Sequence, residues 1–310
     1  MFIEVIYSGG PDITRIFIGI PDSFLLESQS LLEKSIKVSY LARAASIFRV
    51  NQIFIYRDSS TKFSSRDGEI IKTILEYLDT PPYLRKKLFQ HMPILQYVGM
   101  LPPIKAPHHK AKISLKDLKI GEVRVGSISK INSVKYADVG LDKLVEIVKT
   151  NSDFKKIMVR ITSVEPCIRG IEVTKEQLQG YWGYSVVYVN SLKELIRTFK
   201  PNEIIMTSIQ GRSISDKVFS SFLGHEIKII NELLVVFGSP KSGLKGILKS
   251  ENVQISDFPF VINMFPNQGT ETIRVEEAII GTLSILNKEI GGSYGSHESS
   301  TRNSMYRQNG

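Results

Sequence analysis

The stretch FPFVINMFPNQGTETIRVEEAIIGTLSIL, residues 258–286, decides the fold class of this chain. It opens with the apolar run 260–262, which predicts a short buried strand. The polar loop 263–271 follows, and apolar residues then recur at helical spacing to the end of the stretch. We expect Thr270 or Thr272 to cap this helix. A strand that leads through a glycine-containing loop into a helix is a common place for a small ligand to bind.

Apolar runs and helical periodicities also alternate through much of the remaining chain. Residues 15–20, 24–49 and 50–56 have the patterns of a strand, a helix and a second strand, which is typical of a parallel α/β sheet. A further helix is expected over 68–78, ending before Pro81. The remaining strands are predicted at 1–14, 186–188, 203–207, 232–237 and 260–262, with a helix at 191–198 and a short connection at 217–222.

Residues 111–179 have a different pattern, in which short alternating runs are separated by turn residues. Several short strands at close spacing predict a small β-barrel, and an OB-like barrel is the natural expectation. The sheet-forming domain would then be discontinuous, with residues 1–110 and 180–290 pairing across an insertion at 111–179. Residues 291–310 are rich in Gly, Ser and Asn, so we expect a disordered tail.

Composition limits the classes of function. Cys167 is the only cysteine in 310 residues, so no disulfide can form within the chain, and a reducing, cytoplasmic location is expected. The five histidines are scattered except for the adjacent pair His108 and His109, so no metal site is expected. No apolar run is long enough to span a membrane. The formal charge of +9 favours a polyanionic partner, nucleic acid first, although a basic surface that is simply solvated would explain it equally well.

The charge is most uneven between Tyr83 and Lys116, where there are seven Lys and Arg residues and no acidic residue. Aromatic side chains lie between the basic ones, a combination that suits RNA because cations bind phosphates while rings stack on bases. A loop of solvated lysines over the sheet is the alternative. The RNA-binding candidates are Arg85, Lys86, Lys87, His108, His109 and Lys110.

Seven segments of the chain, taken in order, resemble one known family. They are IGIPDSFLLESQS (18–30), YLARAASIFRVNQIFIY (40–56), ILEYLDTPPYLRKKLF (74–89), LQYVGMLPPIKAPHH (95–109), GYWGYSV (180–186), VVFGSPKSGL (235–244) and NMFPNQGTETIRVEEAI (263–279). The chain resembles the SPOUT class of methyltransferases, and within it the archaeal and eukaryotic RNA enzymes that carry an OB-like insertion and act on uridine N3 of large-subunit ribosomal RNA. The resemblance implies an α/β trefoil-knot fold with an inserted β-barrel, and a homodimer whose knot region forms the interface.

The same resemblance implies S-adenosylmethionine as the cofactor, held mostly by backbone groups of three loops. Glycines there would let the main chain approach the adenosine. The cofactor-binding candidates are Thr207, Ser208, Gln210, Gly211, Arg212, Gly238, Ser239, Asn263, Met264, Phe265, Gln268, Gly269, Thr272 and Ile273. The sequence departs from the family at Ser239, where many relatives have glycine, and around Gly211, where the order of Gln210 and Arg212 leaves open which one contacts the cofactor.

Methylation of uridine N3 requires a base for the N3 proton, or a cation that stabilises the imidate as it forms. Arg274 is the candidate cation, and Glu276 or Glu277 is the candidate base. An equally weighted alternative for the two glutamates is that they only complement the helix dipole. Arg43 lies in a run that resembles the first motif of ribose 2′-O-methyltransferases. Their partner Asn is Lys37 here, which argues against ribose methylation and leaves Arg43 to bind RNA or the target base, or to pair with a carboxylate.

Two other functions remain open from the sequence. One is a non-catalytic RNA-binding protein of ribosome assembly that has kept the fold. The other is a methyltransferase that acts on a different base or on transfer RNA.

Overall fold

A computed structural model describes residues 14–61, 66–150 and 155–291. The chain forms two compact units, which we call the sheet unit (Met1–Glu27, Val50–Gly68 and Val187–Gly310) and the barrel unit (Ser28–Arg49 and Glu69–Val186). Nearly all of the predicted tail at 291–310 and most of the predicted strand at 1–14 lie outside the described residues, although residue 291 itself is the last residue of a helix. Among the helices of the described residues, none is both long and apolar enough to cross a bilayer.

The central element of the sheet unit is a six-stranded sheet. Its strands are β1 (Arg15–Pro21), β2 (Val50–Tyr56), β8 (Ser185–Val189), β9 (Ile204–Ser213), β10 (Glu232–Val236) and β11 (Phe260–Asn263), and they lie in the order β11-β9-β10-β1-β2-β8. The pairs β1/β2, β1/β10, β10/β9 and β11/β9 are all parallel. Parallel α/β architecture is therefore confirmed for this part of the chain.

Four helices belong to the sheet unit: α4 (Leu192–Ile196), α5 (Lys217–Ile229), α6 (Gly243–Ser250) and α7 (Val275–Gly291). One core cluster joins Phe17 and Leu234 of the sheet to Leu195 of α4 and Ile247 of α6. These side chains are 7% exposed or less, so the strands of this unit carry apolar residues on buried faces, as parallel strands do.

The barrel unit contains a closed five-stranded barrel and three helices. The helices are α1 (Leu31–Ile47), α2 (Arg66–Asp79, which begins in the sheet unit) and α3 (Pro82–Leu88); the strands are β3 (Val123–Ile131), β4 (Val134–Asp138), β5 (Val145–Lys149), β6 (Lys156–Ser163) and β7 (Arg169–Val173). The strands close in the order β3-β4-β5-β7-β6, and β5 and β7 are parallel. The small barrel predicted from residues 111–179 is thus present, with Ala137, Val159 and Ile161 in its core.

The structure corrects two predictions of local structure and refines a third. Residues 217–222 do not form a short connection, because Asp216 accepts the amides of Val218 and Phe219 and starts the 13-residue helix α5. Neither Thr270 nor Thr272 caps α7, which begins at Val275. Pro81 ends α2 as predicted, but Pro82 is the first residue of α3, a position where its missing N–H costs nothing.

Candidate functional site

Three loops lie at the carboxyl ends of neighbouring strands in the sheet unit. They follow β10 (237–243) and β11 (264–274), and include the end of β9 (207–213). Because these three strands are parallel and adjacent, their carboxyl ends share one edge of the sheet. Ligands of open α/β sheets bind at this edge.

The end of β9 departs from regular pairing. Residues Val261 and Met206 are partners, but the next pair is Ile262 with Arg212, so five residues of β9 leave the ladder with β11. Side chains hold this bulge in place. Thr207 Oγ1 donates to the carbonyl of Val236 (2.8 Å), and Asn263 Nδ2 donates to the carbonyl of Ile209 (3.0 Å).

The three candidate glycines differ in what surrounds them. A Cβ on Gly211 would lie 2.6 Å from backbone atoms of Ile262, and one on Gly238 would lie 2.2 Å from the amide nitrogen of Leu244. A Cβ on Gly269 would meet no atom within 4 Å. The first two glycines are therefore required by close approach of the chain to itself, whereas Gly269 leaves open space beside its backbone.

The loop after β11 forms a cavity of about 360 Å³, lined by Phe265, Pro266, Asn267, Gln268, Thr270, Ile273 and Ser215. The loop is internally hydrogen bonded: Asn263 Oδ1 accepts the amide of Phe265 (3.0 Å), and Gln268 Nε2 donates to the carbonyl of Thr270 (2.9 Å). Met264 is buried, and Thr272 is exposed. The volume is within the range of small-molecule sites.

Gln210 and Arg212 have different surroundings. The guanidinium of Arg212 pairs with Asp216 (Nη2–Oδ2, 2.8 Å) and lies 4.5 Å from the ring centroid of Phe219. That hydrogen bond is the largest of the causes that lower the pKa of Asp216. Gln210 is exposed, and its Oε1 accepts from Lys245 (3.2 Å). Arg212 is thus held by the start of helix α5, while the side chain of Gln210 is accessible.

The first turn of α7 presents the predicted catalytic residues of the sheet unit. Glu277 Oε2 accepts the backbone N–H of Arg274 (2.9 Å), so this carboxylate caps the helix in place of the predicted threonines. The side chain of Arg274 is exposed, and among the described residues its guanidinium has no hydrogen-bond or ion-pair partner. Glu276 is partly buried.

Comparison with known proteins assigns the chain to a family. A family model described as "Putative RNA methyltransferase" matches residues 15–286, which covers the sheet unit from β1 into α7 and the whole barrel. The chain belongs to this RNA methyltransferase family. That membership confirms the class to which the sequence resemblance pointed.

Members of this RNA methyltransferase family from distant organisms align over most of the chain. A 28S rRNA (uridine-N(3))-methyltransferase of Drosophila melanogaster is 29% identical over 93% of this chain and 64% of its own length. A mouse protein with the same name is 27% identical over 87% of this chain and 75% of its own. An uncharacterised protein of Halobacterium salinarum is 27% identical, over 86% of this chain and 96% of its own length. The chain therefore spans less than two thirds of the length of the fly protein.

Most of the predicted RNA-binding residues in the barrel unit make contacts within that unit. Arg85 donates to the carbonyl of Thr80 (2.8 Å) and lies 4.8 Å from the ring centroid of Tyr77. Lys87 and Lys110 lie near carboxylates, at 3.5 Å from Asp138 and 3.0 Å from Glu122. Lys86 is exposed. Arg43, also in this unit, donates to the carbonyl of Pro103 (3.1 Å) rather than to a carboxylate.

His108 and His109 lie in a buried polar cluster around Asp79, the end residue of α2. His108 Nε2 lies 3.1 Å from Asp79 Oδ1, and Lys156 Nζ lies 3.2 Å from Oδ2. Burial alone would raise the pKa of Asp79, but Lys156 and His108 outweigh it and the pKa is lowered. His109 Nε2 faces the carbonyl of Asp79 (2.9 Å), and burial and then His108 lower the pKa of His109.

The same three residues, Asp79, His108 and His109, place one candidate metal-ligand atom each within 4.8 Å of one another. This cluster could not be predicted from spacing along the chain, because Asp79 is 29 residues from His108. Asp79 already has a cation, Lys156, at ion-pair distance, and His109 directs both ring nitrogens at carbonyls. A divalent cation would have to displace the ammonium group, so the contacts favour a polar network that ties α2 to the 104–109 segment.

Proposed function

We propose that the protein is an S-adenosylmethionine-dependent RNA methyltransferase that acts on N3 of a uridine in large-subunit ribosomal RNA. The observation that carries the proposal is the alignment of relatives named 28S rRNA (uridine-N(3))-methyltransferase over 87–93% of this chain. The family match over residues 15–286 includes the three loops at the carboxyl edge of the sheet. Membership of an RNA methyltransferase family supports methyl transfer as the reaction class.

The three loops have features that fit an adenosine-containing cofactor. The bulge of β9 takes backbone groups out of the sheet, Gly269 leaves room beside the main chain, and a cavity of about 360 Å³ lies on the third loop. S-adenosylmethionine, when bound, would supply an electrophilic methyl group on a sulfonium. We assign Gln210 rather than Arg212 to the cofactor, because Arg212 is paired with Asp216. Ser208, Gly238, Ser239 and the 263–273 loop complete the proposed set.

The acceptor side of the reaction depends on charge at the start of α7. Loss of the N3 proton leaves an imidate anion on the uracil, and a positioned cation lowers the energy of that state. We propose that the exposed guanidinium of Arg274 has this role. Glu277 caps the helix that presents Arg274, so we assign it to positioning and leave Glu276 as the candidate base. Arg43 donates to the carbonyl of Pro103, and we propose that it contributes by positioning the segment that contains Pro103.

Two fold-level proposals accompany this function. The first is a trefoil knot. The register between β9 and β11 jumps by five residues, and we take this jump as support for one segment of the chain crossing another at that point, as a knot requires. The barrel order β3-β4-β5-β7-β6 with parallel β5 and β7 supports an OB-like module. OB-like barrels bind single-stranded nucleic acid, and we propose that this module and Lys86 contact the RNA.

We also propose a homodimer through α5. Val218, Phe222 and Ile229 of this helix are 76%, 53% and 66% exposed, and Ile209 at the β9 bulge is 70% exposed. Large apolar side chains this accessible on one element of a folded protein are typical of an interface. An interface there would lie beside the proposed cofactor loops.

Titration with S-adenosylhomocysteine and, in a separate assay, transfer of labelled methyl groups from S-adenosylmethionine test the proposal. We expect saturable binding by the purified protein, and transfer to large-subunit ribosomal RNA but not to transfer RNA. Binding without transfer to any RNA would favour a non-catalytic protein, and transfer to transfer RNA alone would overturn the proposed substrate.

A further inference from the structure

A chain of serine hydroxyls runs from the loop after β10 to the loop after β2 in the sheet unit. Ser239 Oγ lies 2.7 Å from Ser242 Oγ, which lies 2.7 Å from Ser60 Oγ. Ser60 Oγ in turn donates to Asp58 Oδ1 (2.5 Å). Ser239, one of the cofactor-binding candidates, is therefore connected to an acidic side chain through two other hydroxyls.

Asp58 is a fixed end for this chain. Its side chain is buried (2% exposed), and neutral donors hold both oxygens: Ser23 Oγ at Oδ2 (2.5 Å), and the Ser60 amide at Oδ1 (2.9 Å). The backbone N–H of Asp58 donates to Asp22 (2.9 Å). The hydroxyls of Ser23 and Ser60 and the amide of Ser60 all donate, so the Asp58 carboxylate is the acceptor in each contact.

The Asp58 carboxylate, as the acceptor from Ser60, determines the direction of every hydroxyl along the chain. Each serine has one O–H hydrogen. Ser60 gives its hydrogen to Asp58, so Ser242 must donate to Ser60 and Ser239 must donate to Ser242. Ser239 Oγ also accepts the amide of Ser242 (3.1 Å). One lone pair of Ser239 Oγ remains, and the hydroxyl has no hydrogen left to offer a ligand.

We infer that Ser239 Oγ accepts a hydrogen bond from a donor group of the bound adenosine, either a ribose hydroxyl or the exocyclic amine, and that Asp58 and Ser60 fix this polarity. This inference rests on the proposed function, because it takes the loop after β10 as part of the adenosine site. Asp58 and Ser60 are positioning residues, and Ser239 is a binding residue. A site polarised in this way discriminates against an adenosine analogue that lacks the donor.

Calorimetric titration of Ser239→Ala, Ser60→Ala and Ser59→Ala with S-adenosylhomocysteine tests the inference. One neutral hydrogen bond corresponds to a change of about two- to tenfold in Kd, and we expect a rise of that size for Ser239→Ala. We expect a smaller rise for Ser60→Ala, because Ser242 can then turn its hydrogen towards Ser239. Ser59→Ala is the matched control: it removes the neighbouring hydroxyl, which contacts Ser250 and Glu251 instead.

Analogues identify the donor. Three analogues of S-adenosylhomocysteine are compared: one without the 2′-hydroxyl, one without the 3′-hydroxyl, and one with hydrogen in place of the exocyclic amine. The analogue that lacks the donor to Ser239 should bind wild-type protein and Ser239→Ala with equal affinity. The other two should bind wild-type protein more tightly than Ser239→Ala. Ser239→Thr keeps the hydroxyl and should bind like wild type. Weaker binding by Ser239→Ala then reflects loss of the hydroxyl rather than a folding defect. Wild-type affinity in Ser239→Ala, or equal affinities of Ser60→Ala and Ser59→Ala, would overturn the inference. Failure of wild-type protein to bind would instead refute the proposed function.

Discussion

Substitution of Gly211 by alanine probes the bulge of β9 on which the proposed site depends. A Cβ at this position would lie 2.6 Å from the N and C atoms of Ile262 and 2.7 Å from the C atom of Val261. These are backbone atoms of β11, so no side-chain rotation can relieve the contact. The strands must separate by about 0.8 Å to reach an ordinary contact distance.

The expected loss of stability for Gly211→Ala follows from the contacts at that point. Separation of the strands weakens the hydrogen bonds from Asn263 Nδ2 to Ile209 (3.0 Å) and from the amide of Ile214 to Asn263 (3.0 Å). Each contributes about 0.5–1.5 kcal/mol net, and overpacking of a close contact costs about 1–3 kcal/mol. We therefore expect the free energy of unfolding to fall by at least about 2 kcal/mol.

Urea unfolding and S-adenosylhomocysteine titration of Gly211→Ala measure both consequences. Its matched control is Gly269→Ala, which adds the same methyl group where no atom lies within 4 Å. We expect the control to unfold like wild type while the bulge variant unfolds earlier and binds more weakly. Equal urea midpoints for Gly211→Ala and wild type would refute the close packing of β9 against β11.

Four further predictions concern other parts of the molecule. Gly183→Ala should destabilise the barrel unit in thermal melting, because φ is +78° and the new Cβ would lie 2.1 Å from Asp79 Oδ1. The pKa of His109 is lowered in the folded protein, so the unfolded chain binds the proton of this histidine more tightly. The free energy of unfolding should therefore fall as the pH drops below about 6.5. His109→Gln should remove this contribution to the pH dependence of the urea midpoint. Phe222→Glu should leave the monomer folded, since the side chain is 53% exposed in the single chain, and shift the mass measured by light scattering from dimer to monomer. Lys86→Glu should weaken RNA binding and reduce the slope of log affinity against log salt by about 0.9, and an unchanged slope would exclude a phosphate contact there.

Much of the fold follows from local patterns in the sequence. Strands β1, β10 and β11 consist mainly of apolar runs, and β2 ends in one at 53–56, because both faces of a parallel sheet are buried; such runs are visible without a structure. The barrel was visible because turn residues separate its strands. Helix α5 was underestimated because its start depends on Asp216 as an N-cap, and its exposed apolar residues obscure the helical period.

The roles of individual side chains at the site were less accessible, because they depend on partners distant in sequence. Gly211 suggested a ligand-binding backbone, but the atoms beside it belong to Ile262, 51 residues later. Arg85 is a free cation as far as the sequence shows, but in the structure it contacts the carbonyl of Thr80 and the ring of Tyr77. The hydroxyl chain from Ser239 to Asp58 joins residues 181 positions apart, and spacing along the chain carries no signal for it.

Nucleoside analysis of an unmodified large-subunit ribosomal RNA transcript, incubated with the purified protein and S-adenosylmethionine, tests the central claim most directly. Mass spectrometry of the digested RNA should show 3-methyluridine, formed in proportion to enzyme and reduced strongly by Arg274→Ala. Absence of any methylated nucleoside, or methylation at another atom alone, would contradict the account.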